Sequence, residues 1–108
     1  MARALSYSSL LVLRGLLDGV GSPQYGLALI KTTGVKAGAL YPILSRFERE
    51  GWIEGSWEAI DESAEGRRKR RYYVLTGIGE RGARNALANA RKQLSPSWQL
   101  QPLVGGAP

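Results

Sequence analysis

Around Gly51 the spacing of apolar residues changes period, and that change limits the folds open to this chain. Upstream, apolar side chains recur every three or four residues, the repeat of a helix with one buried face. Downstream, Trp52-Ile53-Glu54-Gly55-Ser56-Trp57 and Arg71-Tyr72-Tyr73-Val74-Leu75 alternate and are rich in aromatic and β-branched residues, as strands are. After Thr76 the helical repeat returns. The order is helix, helix, helix, strand, strand, helix.

The punctuation supports this order. Leu5 to Asp18 reads as a helix with Leu10, Leu13 and Leu17 at helical spacing, Ser6 or Ser8 as its cap, and Gly19 and Gly21 ending it. Ser22-Pro23 opens a second helix, Ser at the cap and Pro at the first helical position; Leu27 and Ile30 face the core and Thr33-Gly34 closes it. The third helix runs from Ala37 to Glu50, with Leu40, Ile43, Leu44 and Phe47 as its apolar stripe. Pro42 lacks an amide hydrogen and so belongs within about a turn of the start, near Gly38. The two strands enclose a polar stretch, Glu58 to Lys69, with Gly66 near the turn: a hairpin with a long charged tip. Thr76 caps a last helix reaching about Leu94, where Ser95-Pro96 stops it. The fold class is therefore mainly α with a small β-hairpin. It is a winged helix-turn-helix over residues 1–75, followed by a dimerisation helix over 76–94 and a Pro- and Gly-rich tail, 95–108, expected to be mobile.

Composition removes whole classes of function. The chain has 108 residues, no cysteine and no histidine. Disulfides cannot form, and a zinc site would have only carboxylates to draw on. Most acid–base and nucleophile arrangements need His or Cys. No enzyme activity, metal or cofactor is expected. No apolar run reaches the roughly 18 residues that span a bilayer. Arg14 interrupts the apolar N-terminal stretch, so no signal peptide is read and a cytoplasmic location is expected.

Net charge is +6, with a sequence pI near 10.1. Five of the fifteen cations stand in one run, Arg67, Arg68, Lys69, Arg70 and Arg71, and the other ten face nine acids. Adjacent cations repel one another, and a hairpin tip that carries them suits an anionic partner. On a strand, Arg68 and Arg70 would share one face and Arg67, Lys69 and Arg71 the other. A solubilising loop is the plain alternative.

The third helix supplies the complementary half of a DNA-binding surface. It begins with the small residues Ala37, Gly38 and Ala39, flanked by Lys36, so a phosphate or groove wall can come close to its amides. Tyr41, Ser45, Arg46 and Arg49 follow on its outer side. Taken alone, Arg46 and Arg49 read rather as a solvated face paired with Glu48 or Glu50, and the adjoining basic wing reverses that balance. The candidate DNA-binding residues are Lys36, Ala37, Gly38, Tyr41, Ser45, Arg46, Arg49, Arg67, Arg68, Lys69 and Arg70. Trp52, Trp57, Tyr72 and Tyr73 are read as anchors holding the hairpin to the helices rather than as stacking platforms for single strands.

The last helix is read as a dimer element. Its seam is Ala83, Leu87, Ala90 and Leu94, and Leu5, Leu10 and Leu11 of the first helix also need partners. Packing these across a two-fold axis completes a core that a short chain fills poorly, and places two recognition helices on one face of DNA. The alternative is a last helix folded back on its own chain.

Particular strings resemble a known family. Tyr25-Gly26, Thr33-Gly34, Gly38-Ala39-Leu40-Tyr41-Pro42-Ile43-Leu44 and Gly51-Trp52-Ile53, followed by Gly66 to Tyr73 and Leu75-Thr76 with Gly79, look like the PadR family of bacterial regulators. The resemblance covers about residues 5 to 90. It implies a winged-helix homodimer that binds double-stranded operator DNA and represses transcription, in many members until a small aromatic effector binds. It also implies that Lys36, Tyr41 and Arg67 to Lys69 lie at DNA, and that the last helix exchanges contacts with the partner's first helix. Ala39 departs from the family's usual Thr, and Ala37 from its common Pro. Some relatives build a flat-ligand slot around a Trp in the last helix; here that region, Ala86 to Ala90, is Ala-rich and Trp98 lies beyond Pro96, so the slot is not carried over. Two other functions share the fold: an architectural or recombination-directing factor, and a protein-interaction module that binds no DNA.

Overall fold

A computed structural model describes residues 5–94. Ser95-Pro96, Trp98 and the rest of the C-terminal tail lie outside the described residues.

Helix α1 spans Tyr7–Asp18. Ser6 is its cap: the Ser6 hydroxyl oxygen accepts the Ser9 amide at 3.0 Å, which leaves Leu5 outside the helix. The buried side is Val12, Leu13 and Leu16, with Leu10 and Leu17 at its edges, so the stripe is rotated from the Leu10-Leu13-Leu17 line expected.

The second helix does not open at Ser22-Pro23. A two-residue strand, β1 (Gln24–Tyr25), comes first, and α2 spans Gly26–Thr33. Tertiary pairing overrides the local Ser-Pro signal: β1 pairs antiparallel with a later strand, and Gln24 Nε2 donates to the Gly15 carbonyl at 2.9 Å. Starting the helix at Gly26 turns Leu29 fully inward and leaves Leu27 58% exposed, so Leu27 is not the core residue expected. Gly34 closes α2 with a φ of 76°, where a side chain would be strained.

Helix α3 spans Ala37–Arg49, with Leu40, Leu44 and Phe47 buried and Ile43 partly so. Pro42 is the sixth residue, deeper than its missing amide suggests, and it sits on the exposed side. Strands β2 (Ile53–Trp57) and β3 (Arg71–Leu75) form the hairpin in register Ile53 with Leu75, Gly55 with Tyr73 and Trp57 with Arg71. The sheet order is β1-β3-β2. The hairpin tip holds a one-turn helix, α4 (Glu62–Glu65), capped by the Asp61 carboxylate and ended by Gly66. Residues 67–70 precede β3, so they do not alternate as strand residues.

Helix α5 spans Gly77–Leu94 and starts at Thr76, whose Oγ1 accepts the Gly79 amide at 3.0 Å and donates to the Gly51 carbonyl at 2.7 Å. It packs on α1 of the same chain. A Cβ on Gly79 would lie 1.9 Å from the Trp52 carbonyl oxygen, so only glycine permits this seat. Trp52 in turn stacks on Phe47, with centroids 5.5 Å apart and planes 6° from parallel. One core results, drawing Val12, Leu13 and Leu16 from α1, Leu29 from α2, Val35 from the turn after it, Leu40, Leu44 and Phe47 from α3, Ile53 and Tyr73 from the sheet, and Ala83 from α5.

Candidate nucleic-acid interface

The N-terminal end of α3 stands clear of the rest of the chain. Lys36, Ala37, Gly38, Ala39, Tyr41, Ser45 and Arg49 are all exposed. The Lys36 carbonyl accepts the Ala39 and Leu40 amides at 2.9 and 2.8 Å, while the Ala37 and Gly38 amides have no partner among the described residues. A Cβ on Gly38 would meet nothing within 4 Å among the described residues. Arg46 stands apart from this group: it is half-buried and its Nε donates to Glu50 at 3.1 Å, the paired state that its helix alone suggested.

Tyr41 bridges the helix-turn-helix. Its ring lies against Gly26, where a Cβ would come within 2.5 Å of the Tyr41 oxygen, so the Tyr25-Gly26 pair is shaped to receive it. The side chain is still 43% exposed, and its hydroxyl has no hydrogen bond among the described residues. That hydroxyl stands at the first turn of α2, whose amides have no helical partners.

The basic run divides into two kinds of cation. Arg67 is held by Glu58 in a two-pronged pair, Nη1 to Oε1 at 2.7 Å and Nη2 to Oε2 at 3.0 Å. Arg71 Nη2 donates to Glu48 at 2.6 Å. Between them, Arg68, Lys69 and Arg70 are exposed and form no ion pair among the described residues. The Arg70 guanidinium lies 5.5 Å from the centre of the Tyr25 ring. Four acids of the tip, Glu58, Asp61, Glu62 and Glu65, fold beside the five cations, so the wing is far less positive than the run alone.

Glu58 organises the wing. Besides Arg67 it accepts the Arg70 amide at 3.0 Å and the Tyr25 hydroxyl at 3.3 Å, and its own amide donates to the Arg70 carbonyl. The Arg67 hydrogen bonds above all, then the Arg70 amide, hold its carboxyl well below the ordinary 4.5, at about 2, against the opposing effect of desolvation. Burial raises the Tyr73 phenol, with Arg71 opposing. Trp52 and Tyr73 anchor the hairpin to the core and Tyr72 packs on Tyr25 of β1, whereas Trp57 is 59% exposed and lies against Arg71.

The dimer candidates also divide. Ala83 is fully buried in the core of its own chain, which corrects its place on a partner-facing seam. Leu11 packs against the same core. Leu5, Leu10, Leu87 and Ala90 are half-buried, and Leu94 is 79% exposed. An open groove of about 260 Å³ is lined by Leu11, Arg14, Gly15, Asp18, Gly19, Gln24, Thr32 and Thr33. It contains an exposed Arg14–Asp18 ion pair and no aromatic ring. Among the described residues no helix is long and apolar enough to cross a membrane, and no three His, Cys, Asp or Glu could hold a metal ion.

Sequence reasoning did not find β1, α4 or the partners of Arg67 and Arg71.

A helix-turn-helix followed by a β-hairpin wing, which β1 widens to three strands, with the exposed small-residue start of α3 beside it, defines the winged-helix fold of transcriptional regulators. The chain matches the Transcriptional regulator PadR-like family over residues 16–85, and it belongs to that family. A PadR family transcriptional regulator from Eggerthella lenta is 27% identical, with a TM-score of 0.66 over 83% of this chain and 80% of that one. A PadR-like transcription factor from Bacteroides fragilis is 24% identical, with a TM-score of 0.63 over 80% and 84%. Reduced AbfR of Staphylococcus epidermidis, solved bound to DNA, is 24% identical, with a TM-score of 0.64 over 85% of this chain and 60% of that one; these last two likenesses are of fold. No curated protein matches the chain.

Proposed function

We propose that this regulator is a homodimeric repressor in the bacterial cytoplasm that binds double-stranded operator DNA, with α3 in the major groove and the wing along the adjoining backbone. The observation carrying this reading is the exposed start of α3, with the Ala37 and Gly38 amides unpartnered among the described residues, beside a wing tip whose Arg68, Lys69 and Arg70 side chains form no ion pair among them. Lys36, Ala37, Gly38 and Tyr41 meet phosphate near the helix start, and Ser45 and Arg49 follow along the groove. Arg46 and Arg67, each paired with a glutamate, shape the surface rather than bind phosphate. A neighbour of similar fold, solved bound to DNA, supports DNA as the partner.

The division of the chain follows the packing. Residues up to 75 and the first half of α5, through Ala83, form the DNA-binding unit. The second half of α5, with Leu87, Ala90 and Leu94, takes the partner together with Leu5 and Leu10. The two recognition helices then stand about 34 Å apart. The open groove lacks the aromatic walls a flat effector needs, and no effector is assigned to it.

Fluorescence anisotropy with genomic duplexes, the chain's own promoter among them, tests the reading at several salt concentrations. Saturable, salt-dependent binding at two chains per site is expected. Tyr41→Ala should weaken it about tenfold or more, the value of a hydrogen bond to a charged group at ~1.5–3 kcal/mol. Unchanged affinity would remove α3 from the DNA, and no binding to any duplex at low salt would leave a protein-interaction module.

A further inference from the structure

Arg71 belongs to the basic run, but its surroundings separate it from the other cations. On one face of the hairpin, β2 presents Ile53, Gly55 and Trp57 opposite Leu75, Tyr73 and Arg71 of β3. Ile53 and Tyr73 are buried. Gly55, between Ile53 and Trp57, leaves a gap one side chain deep, and the Arg71 guanidinium fills it. A Cβ on Gly55 would lie 2.7 Å from Arg71 Nη2, 2.9 Å from Arg71 Cζ and 2.9 Å from Glu48 Oε2. The guanidinium carbon lies 5.3 Å from the Trp57 ring centre and 6.0 Å from that of Tyr73. Its Nη2 donates to Glu48, a residue of α3, and among the described residues this is the one ion pair joining α3 to the hairpin.

We infer that Glu48 and Arg71 are positioning residues that fix the angle of the wing against the recognition helix, and that Gly55 is glycine to house their pair. The inference rests on the DNA-binding reading above. A planar guanidinium seated between two rings and held by a carboxylate is a stiff link between two elements. Both elements must meet one duplex at once, so the link sets whether groove and backbone contacts fall in register. Arg68, Lys69 and Arg70 then meet the phosphates, and Arg71 aims them.

The test separates aiming from contact. DNA affinity is measured over a salt series for the unchanged chain and for Glu48→Gln, Arg71→Met and Gly55→Ala, with Arg68→Ala/Lys69→Ala as the contact control. Amide exchange at Trp57 and Tyr72 is read on each free protein. The three link variants should each bind about tenfold more weakly, with an unchanged salt slope and faster exchange at the outer end of the hairpin. The control should lose up to about 1.8 units of slope, at ~0.9 per phosphate contact, with exchange unchanged. A fall of about 0.9 in slope for Arg71→Met would make Arg71 a phosphate contact and overturn the inference. Unchanged affinity and exchange in Glu48→Gln and Gly55→Ala would overturn it too. Failure of the unchanged chain to bind any duplex would instead overturn the DNA reading, while exchange would still report whether the link stiffens the wing.

Discussion

Replacing Gly38 by alanine should make the protein more stable and a weaker DNA binder at once. Gly38 is the second residue of α3, is exposed, and has nothing within 4 Å of where a Cβ would stand. Alanine exceeds glycine in a helix by up to ~1 kcal/mol, and here no clash offsets that gain. For a domain of this size each kcal/mol raises Tm by about 4–8 °C, so thermal unfolding followed by circular dichroism should show a rise of a few degrees. DNA should respond in the opposite direction. The added methyl group stands beside the Ala37 and Gly38 amides, which have no partner among the described residues, and holds a phosphate away from them. Losing one such charge-assisted hydrogen bond costs ~1.5–3 kcal/mol, or about ten- to a hundredfold in Kd by anisotropy. A higher Tm with unchanged affinity would refute the close approach of DNA to this turn. A lower Tm would refute the argument that the position is open.

Other perturbations follow from the packing and the wing. Gly79→Ala puts a methyl group on the Trp52 carbonyl, a backbone atom that cannot swing aside, and should destabilise the fold by at least the ~1–3 kcal/mol of ordinary overpacking; urea unfolding measures it. Glu58 has its folded-state pKa depressed from 4.5 to about 2, so its stabilisation of the wing is complete above about pH 4.5 and is lost as pH falls through 2. A carboxyl carbon titration by NMR should give that midpoint, and Glu58→Gln should expose the Arg70 amide to exchange at neutral pH. Leu87→Asp with Leu94→Asp should shift sedimentation equilibrium from dimer to monomer and make Tm lower and independent of protein concentration, while the monomer keeps its helical circular dichroism because neither side chain belongs to the buried core.

Local signals in the sequence survive in the structure where no distant partner competes with them. Ser6 and Thr76 cap their helices, Gly34 turns with positive φ, and Leu40, Leu44 and Phe47 form the buried stripe of α3. Ser22-Pro23 is the same kind of signal, and it loses because Gln24 and Tyr25 pair with Tyr73 and Tyr72, nearly fifty residues away. Two residues are too few to show a period, so β1 leaves no trace in the pattern. The candidate site follows the same rule. Its exposed helix start is legible from Ala37-Gly38-Ala39, since small residues at a helix start need no partner to be recognised. The division within the basic run is not legible, because the carboxylates that claim Arg67 and Arg71 stand 9 and 23 residues upstream. Charge is countable along a chain, but neutralisation depends on the fold.

The seat of Gly79 on the Trp52 carbonyl has a mechanical consequence. Trp52 leans flat on Phe47 of α3, so the contact that holds α5 is one ring away from the recognition helix. From that seat α5 runs on to Leu94, about 22 Å at 1.5 Å per residue. In the proposed dimer its far end belongs to the two-fold axis, and the helix becomes a lever whose fulcrum is Trp52. A shift of about 2 Å at the axis turns the lever by roughly 5° at that rise and length. In that proposed dimer, the spacing of the two DNA half-sites and the packing of the two chains meet in the seat of α5 on Trp52.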